Sequence, residues 1–158
     1  MKEVGGDAAA ALLARRESSI VLDREGRFLH DGTVIEHPGI VRAFRRWVAR
    51  GEGGRFVLRA NEREWCFLRV EDAATFVEDV AVEGERLVAG LWDGTRETVD
   101  PATLAVDREG VLRCTVRDLP AKFSRHAQLA LGGRLEPAAG GAFVLVLGAK
   151  RVRIRPLA

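Results

Sequence analysis

The chain has 158 residues, of which 47% are hydrophobic and 30% are charged, and its formal net charge is +2. This length suits one domain or two small ones with a modest core, and the composition excludes a disordered chain. So small a net charge gives no reason to expect nucleic acid as a partner. Cys66 and Cys114 lie far apart in apolar stretches, so we expect buried thiols rather than a metal pair.

The N-terminal segment predicts a short helix. Asp7 can cap the run AAAALLARRE, and arginines in its last turn suit the helix dipole. The apolar run is too short for a signal peptide, and no stretch reaches the length of a membrane span. Residues 1–17 are therefore predicted to form a helical arm of a cytoplasmic protein that has no membrane partner.

The next part of the chain predicts short strands around one helix. SIVLD and RFLHD flank a turn at Arg24-Glu25-Gly26. Pro38 opens a helix over residues 39–50, whose apolar stripe includes Phe44 and which ends at GEGG. RFVLRA and EWCFLRV then predict a hairpin around Asn61.

The remaining elements follow a similar order. TFVEDVAVEG and ERLVAGLWDG predict two strands joined at Gly84. TLAV and VLRCTV flank a second DREG turn, and a helix is predicted from about Pro120 to Leu131. GAFVLVLGA and KRVRIRPL are the last two predicted strands.

Two short matches recur in the same order along the chain. LDREG at 22–26 returns as VDREG at 106–110, and GRFVL at 54–58 returns as GAFVL at 141–145. They predict an α+β fold in which a strand-strand-helix-strand-strand unit is duplicated, at residues 18–83 and 84–158, with mostly antiparallel sheets. A coincidental match of turn chemistry is the alternative, because D-x-x-G turns are common between strands. A duplication would favour a ligand site at the interface of the two repeats.

The predicted helix over 39–50 carries arginines opposite its apolar face, and Arg42 lies nearest its start, where backbone amides also favour anions. This surface could bind phosphate or could be an ordinary solvated helix face. Glu71 and Asp72 belong to an acidic cluster that could do acid–base work. The alternative is charge that protects a strand edge, with Asp72 closing a turn.

No set of residues has the spacing of a catalytic or metal site. His30, His37 and His126 lack ligand spacing, and no strained elbow presents Ser124 next to an imidazole. The glycines form no phosphate-binding motif after a strand. We therefore expect no metal, no cofactor and no enzymatic activity.

Two segments, LDREGRFLHDGTVIEHPGIVRAFRRWV and GRFVLRANEREWCFLRVEDAATF, resemble the bacterial domain-of-unknown-function family 1285. That family shows an aspartate-glycine turn before an aromatic residue, a helix beginning near V-R-x-F, and a strand ending in V-E-D-A-P-F. FSRHAQLALGGRL resembles its arginine-containing helix and places Arg125 and Arg134 at basic positions. The matching residues of the first half are Gly26, Phe28, Gly32, Val34, Ile35, Val41, Arg42, Ala43, Phe44, Glu62, Arg63, Val70, Glu71, Asp72, Ala73 and Phe76.

The resemblance implies an α+β fold with internal duplication, whose second half is similar to a pleckstrin-homology barrel. It also implies a ligand site between the halves, a nucleotide-like ligand and a role in signal transduction. The leading hypothesis is a non-catalytic module that holds an anionic ligand, with Arg42, Arg59 and Arg125 contacting phosphate and with Glu71 and Asp72 orienting them. The alternative is an adaptor that pairs a protein partner with exposed strand edges.

Overall fold

The computed structural model describes residues 4–157, so residues 1–3 of the predicted N-terminal arm lie outside the described residues. The chain divides into two compact units, Met1–Ala74 and Thr75–Ala158. Three α-helices and sixteen strands form a mixed α+β fold within residues 4–157, and most strand pairs are antiparallel. The predicted α+β class and the mostly antiparallel character of the sheets are confirmed.

The first unit has two small sheets and two helices. Its strands form a four-stranded sheet in the order β3-β2-β1-β7 and a three-stranded sheet in the order β4-β5-β6. Within the first sheet, β1 pairs in parallel with β7 and antiparallel with β2. The elements are α1 (Val4–Ala11), β1 (Ile20–Leu22), β2 (Phe28–His30), β3 (Thr33–Val34), α2 (Pro38–Trp47), β4 (Val48–Arg50), β5 (Phe56–Arg59), β6 (Trp65–Phe67) and β7 (Arg69–Val70).

The second unit is built on a nine-stranded sheet that curls into a half-barrel. Its strand order is β10-β9-β8-β13-β12-β11-β16-β15-β14, and α3 packs on β8. One apolar cluster, which includes Leu87, Leu112 and Leu145, fills its core. The elements are β8 (Thr75–Glu83), β9 (Arg86–Leu91), β10 (Arg96–Val99), β11 (Ala105–Val106), β12 (Leu112–Val116), β13 (Leu119–Phe123), α3 (Arg125–Leu131), β14 (Leu135–Pro137), β15 (Phe143–Leu147) and β16 (Lys150–Pro156).

Helix ends differ from the sequence predictions at three places. α2 begins at Pro38 as predicted but ends at Trp47, because Val48 turns extended and pairs with Leu58 of β5. The residues before Ser124 pair with β12 and β8, so α3 begins only at Arg125. α1 begins at Val4 and ends at Ala11, which places Asp7 within the helix rather than at its cap. In each case strand pairing or packing overrides local propensity.

The hairpins predicted from turn chemistry are confirmed. β8 pairs with β9 across Gly84, whose φ is +65°, and β5 pairs with β6 across a turn that Asn61 closes. The Asn61 side-chain oxygen accepts hydrogen bonds from the amides of Arg63 and Glu64, both at 2.9 Å. β15 and β16 form the last hairpin. Glycine and asparagine are informative here because tight turns need their backbone freedom or their side-chain acceptors.

The two DREG segments form the same turn. In the first, Asp23 Oδ1 accepts from the amides of Glu25 and Arg27, and Arg27 Nε donates to Asp23 Oδ2 at 2.8 Å. In the second, Asp107 Oδ1 accepts from the amides of Glu109 and Val111. A guanidinium again binds the other carboxylate oxygen, with Arg113 Nε 2.9 Å from Asp107 Oδ2.

These carboxylates make stability depend on pH. Burial alone would raise the pKa of Asp107, but hydrogen bonds from the Val111 amide, Arg113 and the Glu109 amide outweigh it and lower that pKa. The pKa of Asp23 is lowered against the same opposing burial effect, by Arg27 and the Glu25 amide. A carboxyl group whose folded-state pKa is lowered stabilises the fold above its unfolded pKa, and that contribution is lost as pH falls through the folded value.

We expect Asp107→Asn to lower the free energy of unfolding by about 1–2 kcal/mol at pH 7, because the charge-assisted bonds are weakened. We also expect it to flatten the loss of stability below about pH 4, where carboxyl groups protonate. Urea unfolding at several pH values measures both effects. The control is Glu109→Gln, a change at an exposed position in the same turn. If the free energy of unfolding depended on pH in the same way in both variants, this role for Asp107 would be contradicted.

Candidate functional site

One face of the β4-β5-β6 sheet combines aromatic rings with guanidinium groups. Trp65 and Phe67 lie on either side of the fully buried Cys66, so their side chains share the opposite face. The register places Arg59 of β5 opposite Trp65. The two rings meet edge to face, with centroids 5.2 Å apart. We call Arg16, Arg55, Arg59, Trp65 and Phe67 the arginine–aromatic face.

Each of the three arginines contacts one of the rings. The Arg55 Cζ atom lies 3.5 Å from the Phe67 centroid, and the Arg16 Cζ atom lies 4.2 Å from the Trp65 centroid. The Arg59 Cζ atom lies 5.1 Å from the Trp65 centroid. Such cation–π contacts are worth about 0.5–1 kcal/mol each at exposed sites. They orient the guanidinium groups on the sheet surface.

The three arginines differ in what else they bind. Arg16 donates to the carbonyls of Trp65 and Arg63, which ties it to the hairpin. Arg55 donates to both carboxylate oxygens of Glu17, at 2.9 and 3.2 Å, and this hydrogen bonding lowers the pKa of Glu17. No carboxylate among residues 4–157 pairs with Arg59. Arg59 is therefore the cation of this face that an incoming anion can bind without displacing a partner.

A cleft of about 440 Å³ adjoins the face within the first unit. Its apolar wall is formed by Phe56, Phe67 and Leu68, and its charged groups are Glu17, Arg55 and the exposed Arg69. Its remaining lining residue is Ser18, and we call this set of seven residues the strand cleft. Its volume lies within the usual range for small-molecule sites.

A second cleft of about 580 Å³ also lies in the first unit. It shares Glu17 and Ser18 with the strand cleft and is more mixed in charge, because Arg15, His30 and Asp31 line it. The Asp31 carboxylate accepts from the Ser19 hydroxyl and lies 3.6 Å from His30 Nε2. The remaining lining residues are Ala11, Leu12, Ala14 and Ser19.

Comparison with solved structures gives one match over nearly the whole chain. A crystal structure of a DUF1285 family protein from Silicibacter pomeroyi DSS-3 matches 99% of this chain and 96% of its own, with a TM-score of 0.70 and 23% sequence identity. The chain has a DUF1285-like fold. A DUF1285 family protein from Shewanella baltica OS155 matches 70% of this chain and 87% of its own, with a TM-score of 0.55 and 18% identity. No protein-family model matches the sequence, and no curated protein matches it.

The DUF1285-like fold places the five predicted site residues on different elements. Arg59 ends β5 and lies on the arginine–aromatic face. Arg42 is exposed on α2, and Glu71 and Asp72 follow β7. Arg125 is the exposed first residue of α3, in the second unit. None of the five lines either cleft, and their roles in ligand binding stay predictions.

Sequence reasoning missed Glu17, Arg55, Phe67 and Arg69 as site residues. In WCFLR, Trp65, Phe67 and Arg69 fall at every second position, and Arg55 and Arg59 are four residues apart in the preceding segment RFVLRA, so this spacing is the signal that could have indicated a shared face. Glu17 gave no comparable signal. It was included in the predicted N-terminal helix, whereas residues 12–19 form no helix or strand.

Both cysteines of the DUF1285-like fold are buried thiols without a disulfide, as the sequence predicted. Burial raises the pKa of Cys114 to about 12 and, against weaker opposing hydrogen bonds, also raises the pKa of Cys66. Both are therefore thiols at neutral pH and poor nucleophiles. Across residues 4–157, no three His, Cys, Asp or Glu side chains come together as a metal site would require. No helix in this part of the chain is long and apolar enough to cross a membrane.

Proposed function

We propose that the protein is a non-catalytic signalling module that binds an anionic, nucleotide-like ligand in the strand cleft and on the adjoining arginine–aromatic face. The observation that carries this proposal is the pairing of an apolar aromatic wall, Phe56 and Phe67, with the exposed guanidinium of Arg69. Enzymes need a nucleophile or an acid–base pair held in reach of a substrate. The strand cleft instead offers groups suited to holding charge.

The charges of the cleft favour an oxyanion. No acidic side chain among the described residues pairs with Arg69 of the cleft or with Arg59 of the adjoining face, so each can offer an anionic group a charge-assisted contact. Guanidinium groups suit phosphate and carboxylate because their planar fork donates two parallel hydrogen bonds. Arg59 is also oriented by Trp65, which lowers the entropy lost when it binds.

The apolar wall supports a ligand with a planar or apolar body. Phe56 and Phe67 are half-buried, and each ring packs against a guanidinium, with Arg50 Cζ 4.3 Å from the Phe56 centroid and Arg55 Cζ 3.5 Å from the Phe67 centroid. Leu68, which is buried, is the other apolar lining residue. Covering the exposed parts of such rings is worth about 25 cal/mol per Å² of apolar surface.

We also propose that the two units are copies of one ancestral unit, the second of which is pleckstrin-homology-like. Support comes from the order β1-β2-β3-α2-β4-β5-β6 in the first and β11-β12-β13-α3-β14-β15-β16 in the second. In both DREG turns the aspartate accepts from the amides two and four residues later. The Glu71 amide donates to Leu22 O after the parallel β1–β7 pair, as the Leu157 amide donates to Val106 O after the parallel β11–β16 pair.

A thermal-shift screen against nucleotides, cyclic and dinucleotide messengers, coenzyme A and NAD tests the ligand proposal. A ligand at about one hundred times its dissociation constant should stabilise the protein by about 2.7 kcal/mol, which raises Tm by several degrees. We expect Arg69→Ala and Arg59→Ala each to weaken binding about tenfold or more. Arg69→Ala should leave the unliganded Tm unchanged, and Arg59→Ala should lower it slightly because the contact with Trp65 is lost.

The matched control is Arg24→Ala, which removes the same charge from an exposed turn of the same unit. An equal loss of affinity in the Arg24→Ala protein would mean that net charge, not the strand cleft, attracts the ligand. If no compound in the screen changed the Tm, the ligand proposal would be contradicted.

A protein-interaction adaptor is the second candidate, and the observation that favours it is Leu129. This large apolar side chain is 68% exposed on α3. The strand edges favour it less, since edge strand β10 exposes Arg96 and Thr98 and edge strand β14 ends in Pro137. The adaptor proposal expects no small-molecule stabilisation and a partner whose affinity falls when Leu129 becomes Ser.

A further inference from the structure

The Glu17 carboxylate pairs with the Arg55 guanidinium in the strand cleft. Its two carboxylate oxygens lie 2.9 and 3.2 Å from the terminal nitrogens of Arg55, in the side-by-side geometry that a ligand carboxylate or phosphate would use. The same guanidinium lies 3.5 Å from the Phe67 centroid, on the apolar wall. Glu17 and Arg55 both line the cleft.

The backbone on both sides of Glu17 is anchored to β6. The Phe67 amide donates to Arg16 O at 2.7 Å, and the Ser18 hydroxyl donates to Phe67 O at 2.7 Å. Arg16 is held further by its bonds to the carbonyls of Trp65 and Arg63. The Glu17 side chain can therefore leave Arg55 by rotating, while the chain around it stays in place.

The ion pair itself is weakly held. The Arg55 and Glu17 side chains are 53% and 73% exposed, and exposed pairs contribute little because water screens them. An anion that enters the cleft competes with Glu17 for the same two donors. Arg55 is already oriented for that exchange by Phe67, so little new order is needed when the partner changes.

We propose that Glu17 is an internal competitor for the ligand's anionic group, and that an oxyanion binds by taking its place on Arg55. This inference rests on the proposed function, since it assigns Arg55 as the anion position of the strand cleft. The chemistry recognised is an oxyanion that accepts two parallel hydrogen bonds, carried by an apolar or planar body. Phosphate esters and aromatic carboxylates share it.

Calorimetric titration of the full chain with inorganic pyrophosphate and, in a separate arm, benzoate tests this inference. We expect Glu17→Gln to bind the preferred anion about two- to fivefold more tightly than the wild type, the fold-change that corresponds to losing an exposed ion pair. Glu62→Gln, an equal charge change at an exposed position outside the cleft, should change affinity less. The two arms distinguish a phosphate from a carboxylate ligand.

A double-mutant cycle separates exchange on Arg55 from a general charge effect. In an Arg55→Ala background the gain from Glu17→Gln should disappear, because there is no shared guanidinium to release. A gain that persists there would overturn the competitor role. Binding that needs Arg69 and Arg59 but does not respond to Glu17→Gln would also overturn it and leave the proposed function standing, whereas no binding by any variant would remove both.

Discussion

Phe44→Ala is expected to lower the free energy of unfolding by about 3–5 kcal/mol, the largest effect that we predict for a single substitution. Phe44 is completely buried on α2, and its ring meets that of Phe28 edge to face at a centroid distance of 5.3 Å. It also lies 6.0 Å from the Trp47 ring. Truncation removes these contacts and leaves a cavity that the surrounding sheet and helix can only partly fill.

Guanidinium chloride unfolding followed by circular dichroism measures this loss. Arg42→Ala is the matched control, because Arg42 is exposed on the same helix and should change the free energy of unfolding by less than about 0.5 kcal/mol. The same control variant shows whether Arg42 can be replaced without disturbing the fold before it is tested for ligand binding. Equal stability of the two variants would contradict the placement of Phe44 in the core.

Gly5→Ala is expected to destabilise the first unit by about 1–3 kcal/mol, the cost of overpacking a close contact. A Cβ atom at Gly5 would lie 2.3 Å from the backbone Cα and C atoms of Gly39, and a Cβ atom at Gly39 would lie 2.7 Å from Gly5 Cα. The first turns of α1 and α2 therefore pack backbone to backbone. A methyl group at Gly5 must push α1 away from α2. That movement is costly because Ala9 and Leu13 of the same N-terminal segment are buried.

Gly6→Ala provides a control of opposite sign in the same helix. A Cβ atom there has no heavy atom within 4 Å, so alanine should stabilise the helix by about 0.5–1 kcal/mol through lower backbone entropy in the unfolded chain. Thermal unfolding of the two variants should therefore show a lower Tm for Gly5→Ala and a higher Tm for Gly6→Ala than for the wild type. Destabilisation by both substitutions, or by neither, would contradict the glycine contact between α1 and α2.

Local chemistry allowed the hairpins to be predicted from sequence. Gly84 and Asn61 indicate tight turns through their own backbone or side-chain properties, and the strands on either side follow from the alternation of apolar residues. Pro38 indicated the start of α2 for the same reason, because its fixed φ suits the first helical turn. These features depend on residues that are neighbours in sequence.

Helix ends depend on pairing across the chain and were predicted less well. The residues Val48, Ala49 and Arg50 continue the helical pattern of α2, yet they pair with β5. A helix was predicted from about Pro120, but Pro120 lies in β13 and pairs with Thr115 of β12. Which strand lies beside these residues cannot be read from their own sequence.

The candidate site also combines a residue that was predicted from sequence with a pair that depends on the fold. Arg59 was predicted to contact phosphate, and it lies on the arginine–aromatic face. The pairing of Arg55 with Glu17 joins residues 38 positions apart and depends on an irregular segment that runs beside β6. Arginine and glutamate are common on surfaces, so only the fold distinguishes this pair from the others.

The central claim is that an anion binds in the strand cleft. Two-dimensional NMR of the ¹⁵N-labelled protein, titrated with inorganic pyrophosphate, tests it most directly because each amide reports its own position. We predict that the largest shift changes occur at Glu17, Ser18 and Arg69, and that Arg69→Ala moves them to pyrophosphate concentrations about tenfold higher or more. Changes confined to residues outside the cleft, or a spectrum that pyrophosphate leaves unchanged, would contradict the claim.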